Sequence, residues 1–337
     1  MTIDDVAKAA GVAIKTVSRV LNNEPNVREV TRARVLTVVK KLNYHPSLSA
    51  RSLAGRRSYL IGLIYANPSA NYIVDIQHGA MERCREERFQ LFLHQCSGQG
   101  EDLGREITGL IDQTHADGLI ITPPLCESVH LIRALDRRSL PFARIAPNPA
   151  TRHRAPYAHM DDEAAAREMT DYLIGLGHRR IGFIVGHPDH FASGQRLRGY
   201  RAALKSHGIA YDAVYVRQGF FVFESGVDAG RQLLTLPLPP TAIFASNDDM
   251  AAGVLMAAHE MGIAIPGRLS VAGFDDTYIA RAVWPRLTTV HQPGYDLSYA
   301  ATDLLLQLLK SKQPPKPIRL DYRLVHRASI GPLAASD

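Results

Sequence analysis

Cysteine is scarce in this 337-residue chain, with three in all, and there is a single tryptophan. Cys84, Cys96 and Cys126 are widely spaced and form no CxxC pair, which argues against a disulfide framework or a cysteine-rich zinc module. They read as reduced thiols of a cytoplasmic protein. No uninterrupted apolar run approaches the ~18 residues of a membrane span. The first residues carry no basic stretch leading into an apolar one, so no secretory signal is expected. No GxGxxG or GxxxxGK[ST] follows a strand-like run, which withdraws support from a dinucleotide or P-loop site. There is no nucleophile elbow, and no two histidines sit at metal-ligand spacing near a third ligand. The acidic groups Asp161-Asp162-Glu163, Asp248-Asp249 and Asp275-Asp276 are read more simply as helix caps and dipole partners than as acid/base machinery. The expectation is therefore a non-enzyme with no cofactor and no metal.

What is present is an ordinary globular composition, 46% hydrophobic and 21% charged, long enough for two or three domains. The charge is unevenly placed. Residues 1–58 hold 11 Lys/Arg against 4 Asp/Glu, and the rest of the chain holds 28 against 29. The whole basic excess lies in the first sixth of the chain, as in a polyanion-binding head on a neutral body.

The head reads as three short helices. Thr2 and Asp5 have capping-box spacing, and Ile3, Val6, Ala7 and Ala10 form one apolar face. Gly11 supplies a tight turn. A second helix is expected from Ile14 to Leu21, with Val17, Val20 and Leu21 inward and Lys15, Ser18 and Arg19 nearly opposite. Donors without bulk are what a helix needs to reach base edges and phosphates in the major groove. Thr31 is the candidate N-cap of a third helix, with Val35, Val38, Val39 and Leu42 on its inner face. Three helices with a glycine turn between the first two make a helix-turn-helix.

The run TIDDVAKAAGVAIKTVSRVLNN, then Asn43-Tyr44-His45-Pro46, then Leu53-Ala54-Gly55, resembles the lactose/galactose repressor (LacI/GalR) family. The resemblance implies DNA contacts from Thr2, Ala13, Ile14, Lys15, Thr16, Ser18, Arg19, Asn22 and Tyr44. Ile14, Lys15 and Arg19 fall where the family reads bases, and Ile14 can touch only a thymine methyl. Residues 46–58 alone would be a flexible linker. The resemblance makes them a hinge helix formed on DNA, with Leu53 as a minor-groove wedge and Ala50 as a small packing neighbour.

Beyond residue 58, strand-like runs alternate with helical stretches: 59–64, 89–94, 117–122, 180–186, 241–246 and 269–274. Another strand ends near Ile145. Such alternation implies parallel sheets with helices on both faces, and the length suggests two doubly wound lobes. The resemblance continues through Gly177-His178-Arg179-Arg180-Ile181, Arg198-Gly199-Tyr200, Ser246-Asn247-Asp248-Asp249-Met250-Ala251, Gly273-Phe274-Asp275-Asp276 and Leu287-Thr288-Thr289-Val290. It implies an α/β two-lobed core like that of periplasmic sugar-binding proteins, with crossovers near 157–161, 286–291 and 318–323.

The expected organisation is a DNA-binding domain over 1–45, a hinge over 46–58 and an effector-binding and dimerisation core over 59–337. The N-lobe would take about 59–158 and 290–320, and the C-lobe about 159–289 and 321–337. Effector residues implied by the resemblance are Arg196, Asn247, Asp275 and Phe221, joined from the other lobe by Asn71 and Tyr72. One departure stands out. Where many relatives place a cleft aspartate this chain has Ala146-Pro147, preceded by Arg144, which adds Arg144 to the candidates and leaves room for an acidic sugar or an oligosaccharide.

The sequence points to a cytoplasmic, nucleoid-associated repressor. It binds a palindromic operator as a homodimer and answers to a small molecule, a sugar above all. The sequence carries no leucine-heptad tail, which favours a dimer over a tetramer. A periplasmic binding protein with the same core would have no use for residues 1–58.

Overall fold

A computed structural model describes residues 1–21, 24–44, 57–98, 100–311 and 313–333. The expectations for Asn22, Ala50 and Leu53, and for nearly all of the hinge, lie outside the described residues. The chain divides into two compact units, Met1–Tyr59 and Leu60–Asp337.

The first unit is helical. Helix α1 (Ile3–Ala10) starts on Thr2, whose hydroxyl accepts from the Asp5 amide while the Asp5 carboxylate accepts from the Thr2 amide. It ends on Gly11 at φ 61°, a left-handed conformation that glycine adopts without steric cost. Helix α2 (Ile14–Leu21) follows directly, and α3 (Glu29–Lys41) is the third helix among the described residues of the unit. Val6, Ala7, Ala10, Val17, Val20, Val35 and Tyr44 form its core. Helix α3 begins earlier than the Thr31 reading supposed. Arg28 is the extended N-cap residue, makes no side-chain cap, and its carbonyl accepts from Thr31 and Arg32. Thr31 therefore sits inside the first turn.

The second unit contains two six-stranded sheets. In chain order its first half runs β1 (Leu60–Tyr65), α4 (Ala70–Glu86), β2 (Gln90–Gln95), α5 (Gly100–Thr114), β3 (Gly118–Ile121), α6 (Val129–Arg138), β4 (Phe142–Ile145) and β5 (Tyr157–His159). The second half runs α7 (Asp162–Gly175), β6 (Ile181–Val185), α8 (Phe191–Ser206), β7 (Val216–Gln218), α9 (Phe223–Leu234), β8 (Ala242–Ala245), α10 (Asp248–Glu260), β9 (Ser270–Asp275), α11 (Tyr278–Ala282) and β10 (Thr288–His291). Then α12 (Gly294–Ser311) and β11 (Ile318–Arg319) return to the first lobe, and β12 (Arg323–Val325) to the second.

The N-lobe sheet has the order β11-β5-β4-β3-β1-β2, and the C-lobe sheet β12-β10-β9-β8-β6-β7. Every pair is parallel except β10 with β12. Central strands covered by helices on both faces must be apolar throughout, and LIGLIY and SVAGFD are correspondingly buried along most or all of their length. The chain crosses between lobes after His159, after His291 and after Arg319. The second crossing lies just past the expected window because Thr288–His291 pair with β9 in the C-lobe sheet. This gives Val290 and His291 to the C-lobe.

Candidate functional site

The head presents one face that its core does not use. Along α2 and at Ala13 just before it, Val17 and Val20 are buried, whereas Ala13, Ile14 and Lys15 are exposed and Thr16, Ser18 and Arg19 half-buried. Ile14 is 47% exposed, so it belongs to the surface rather than to the helical core. Arg19 lies 3.6 Å from Glu24 in a half-exposed pair, a contact that binding to a polyanion would compete with. Thr2 is exposed but serves the α1 cap. Tyr44, expected at the DNA surface, is instead 6% exposed within the core of the head, where burial pushes its hydroxyl pKa up.

In the second unit, polar side chains converge between the lobes beyond the carboxyl ends of the strands, where open α/β sheets bind ligands. The cleft is lined by Asn67, Ser69, Tyr72, Pro123 and Ala146 of the N-lobe. From the C-lobe side come Asp162, His190, Ala192, Arg196, Phe221, Asn247 and Asp275, and Gln292 lies at the crossing. About 30 Å³ of open space remains between them, room for a water or two.

Arg196, on α8, is the hub. Its Nε donates to Asp162 Oδ1 at 3.0 Å, Nη2 to Gln292 Oε1 at 2.9 Å, and Nη1 to the Ser246 carbonyl. Its guanidinium lies 3.5 Å from the centre of the Phe274 ring and 5.9 Å from that of Phe221. Asp275 Oδ1 stands 3.7 Å from Nη1, and burial pushes this carboxyl well above the usual range despite the arginine. Asp275 has φ 108°, rarely adopted by a residue with a side chain, at the end of β9. Such backbone strain clusters at ligand sites. Phe221 also has positive φ, at 62°, and its ring fills the space where a Gly186 side chain would stand. His190 packs edge-on against Phe221, and burial drives its imidazole pKa down to about 3, so it stays neutral.

Asn247 both caps and lines. Its side-chain oxygen accepts from the Met250 amide at 3.0 Å, and its Nδ2 donates to the Phe221 carbonyl at 3.0 Å. Asn71 does not line the cleft. It reaches across the lobes to Asp249 Oδ1 at 2.8 Å, beside Ser69, whose hydroxyl donates to Asp249 Oδ2 at 2.6 Å. Tyr72 lines the cleft from α4.

Arg144 is not among the lining residues. It is fully buried, and it donates to Thr151 Oγ1 at 3.1 Å and to the carbonyls of Thr151 and Cys126. The cation that would have suited an acidic ligand is therefore spent inside the N-lobe. Sequence reasoning missed Asp162, Gln292, His190 and Ser69. Asp162 was read as a cap, but Asp161 caps α7 through the Ala164 amide, and this leaves Asp162 for Arg196. Gln292 and His190 sit just outside regular elements, and no sequence pattern marked them.

A helix-turn-helix head and a two-lobed ligand-binding core define a class: DNA-binding regulators governed by small molecules. Residues 2–47 match the model of bacterial regulatory proteins of the lacI family, and residues 170–330 match a periplasmic binding protein-like domain. The Escherichia coli ribose operon repressor is 35% identical over 307 residues, 90% of this chain and 92% of that one. Catabolite control protein A of Priestia megaterium is 31% identical, covering 98% of this chain and 99% of its own. Among solved structures, a lac repressor dimer bound to operator and the anti-inducer ONPF superimposes with TM-score 0.82 at 28% identity, over 98% of this chain and 99% of that one. A complex of the regulator CelR with cellobiose gives 0.75 at 30%, with the same coverage. The chain belongs to the lacI family of bacterial transcription regulators. The ribose operon repressor and the lac repressor among its relatives are repressors, not enzymes.

Proposed function

We propose that the protein is a homodimeric repressor that reads a palindromic operator through Ala13, Ile14, Lys15, Thr16, Ser18 and Arg19. The hinge, with Ala50 and Leu53, completes the contact, and the protein works in the cytoplasm on the nucleoid. A neutral polyhydroxyl ligand, a sugar, binds between the lobes and changes the grip on DNA. The observation that carries the ligand class is the arginine hub. Arg196 is already faced by Asp162 and Asp275, so no uncompensated charge remains for an anionic group. Asn247, Gln292, His190 and Phe221 offer hydrogen bonds and an apolar face, the mixture a sugar ring needs. The ribose repressor and the cellobiose complex among the relatives support the same class.

Dimerisation through both lobes is supported by exposed apolar side chains on adjoining elements. These are Val74 and Met81 on α4 with Leu93 on β2, and Phe223 on α9 with Met256 on α10 and Tyr278 on α11. Patches of this kind mark interaction surfaces. Light scattering is expected to give twice the chain mass, and Met81→Glu to shift it toward the monomer.

The test of the whole reading is capture of sheared genomic DNA by the purified protein, followed by sequencing. The expected result is one enriched inverted repeat whose affinity falls steeply with salt. A sugar related to the neighbouring genes should then change that affinity about 5–150-fold. Failure to enrich any motif, with and without cell extract, would overturn the reading.

A further inference from the structure

We propose a second ligand site, remote from the cleft: a zinc-class divalent cation bound by His94, Cys96 and Glu106 of the N-lobe. The three donor atoms all lie within 4.8 Å of one another. None of the three lines the inter-lobe cleft.

The fold brings them together by simple alternation. Along β2 and the residue that follows it, residues 92, 94 and 96 share the face turned toward α5, while Leu93 and Gln95 point outward and are exposed. Glu106, on α5 and one position before the buried Ile107, faces them. The strand positions are firmly held: His94 is in register with Ile64 of β1, and the Cys96 amide donates to the Tyr65 carbonyl at 2.8 Å. Glu106 is oriented as well. Its Oε2 accepts from the Gly98 amide at 2.9 Å, and its Oε1 meets His94 Nε2 at 2.7 Å. A backbone donor fixing one carboxylate oxygen while the other faces the cation is how outer contacts align a metal ligand.

The donor set suits a borderline-soft ion. Imidazole, thiolate and carboxylate are the zinc ligands, at about 2.0–2.3 Å, and a tetrahedral arrangement separates the donors by about 3.3–3.8 Å. Reaching that from the present geometry takes about 1 Å of movement at the side-chain tips. His94 and Glu106 are each about one quarter exposed, which gives an ion a way in and a fourth position for water. Cys96 is nearly buried and shields the other side. On binding, the thiol gives up its proton to solvent as the metal–sulfur bond forms. The cation would then clip the edge strand β2 to the helix that follows it.

The experiment is a cobalt titration of the full chain in a non-chelating buffer, read by absorption, followed by displacement with zinc. One equivalent of cobalt is expected to produce a thiolate-to-metal charge-transfer band, which zinc then removes. The band should vanish in Cys96→Ser and persist in Cys84→Ser and Cys126→Ser. Glu106→Gln, at a partly exposed helix position that a folded protein tolerates, should weaken cobalt binding by at least the about 10–100-fold seen for altered outer contacts. Absence of the band at equimolar cobalt, its survival in Cys96→Ser, or unchanged affinity in Glu106→Gln would each overturn the proposal. His94, Cys96 and Glu106 would then be only a hydrogen-bonded packing cluster.

Discussion

At the scale of single residues, the cleft is built around one fully partnered arginine. Every nitrogen of the Arg196 guanidinium has a partner, and the ring of Phe274 covers its face. A flat, five-donor fork can do this, whereas a lysine offers a point charge on a flexible stem. Arg196→Lys keeps the charge opposite Asp162, so the core should remain folded and operator binding intact. Sugar-dependent modulation should fall at least tenfold, since the fixed geometry behind the Gln292 and Ser246 contacts is lost. Operator titration with and without sugar decides it, and a normal response would refute the role.

Glu127 offers a residue-scale test of pH. Burial raises its carboxyl from the ordinary 4.5 to about 7, against the opposing pull of the Phe191 amide and Arg144, and its Oε1 has no hydrogen-bond partner among the described residues. Between these two values the folded chain holds a proton that the unfolded chain has released. Stability therefore falls as pH rises from about 4.5 to about 7, and is flat in this contribution above that range. Glu127→Gln mimics the protonated form at every pH. Its melting temperature relative to wild type should climb across that window and then level off. About 1 kcal/mol of relief moves the melting point by about 2–4 °C in a unit of this size. A difference independent of pH would show that Glu127 does not titrate there.

At the scale of elements, legibility followed physical cause. Helices α1 and α2 were legible because cap, periodicity and glycine turn agree, and the strand-like runs because five of the six are buried over most of their length, while the sixth, at the sheet edge, alternates between exposed and half-buried positions. Apart from the four-residue β10, the strands without a sequence signal are very short: β5 and β7 have three residues, β11 two and β12 three. Two or three residues carry no periodicity, and β11 and β12 exist only because the chain returns to each lobe. The start of α3 was misplaced because its N-cap, Arg28, makes no side-chain cap. In the cleft, Arg196, Phe221, Asn247 and Asp275 were legible through family motifs. Tyr44 and Arg144 show the limit, since sequence position does not reveal which way a side chain turns.

The exposed face of α2 carries the element-scale prediction. Ile14 has no hydrogen-bonding group, so Ile14→Ala should relax the preference for one thymine and leave the salt dependence unchanged. Lys15→Ala, at a position read as base-facing, should cost about 1–3 kcal/mol at one base position. Binding selections on randomised operators check both. A uniform loss across all sequences with a shallower salt slope would reassign Lys15 to a phosphate.

At the scale of the whole core, the lobes are joined by more than their three crossings. Ser69 and Asn71 start α4 on one side, and Asp249 lies in the first turn of α10 on the other. Both carboxylate oxygens are engaged across the gap, at 2.6 and 2.8 Å. With about 30 Å³ open in the cleft, the proposed sugar would enter only if the lobes part or the lining side chains swing aside. The latch therefore sits on the coordinate that the ligand must move, and its strength biases the balance between closed and open cores. Asp249→Ala removes the acceptor but leaves the Asn247 cap of α10, at a cost of about 0.3–1 kcal/mol from the lost dipole contact. The variant should show a larger radius of gyration by small-angle scattering, return toward the wild-type value with saturating sugar, and shift operator affinity in the direction opposite to closure. A variant as compact as wild type, with unchanged operator affinity, would mean that the crossings alone hold the lobes and that Asp249 serves only its helix.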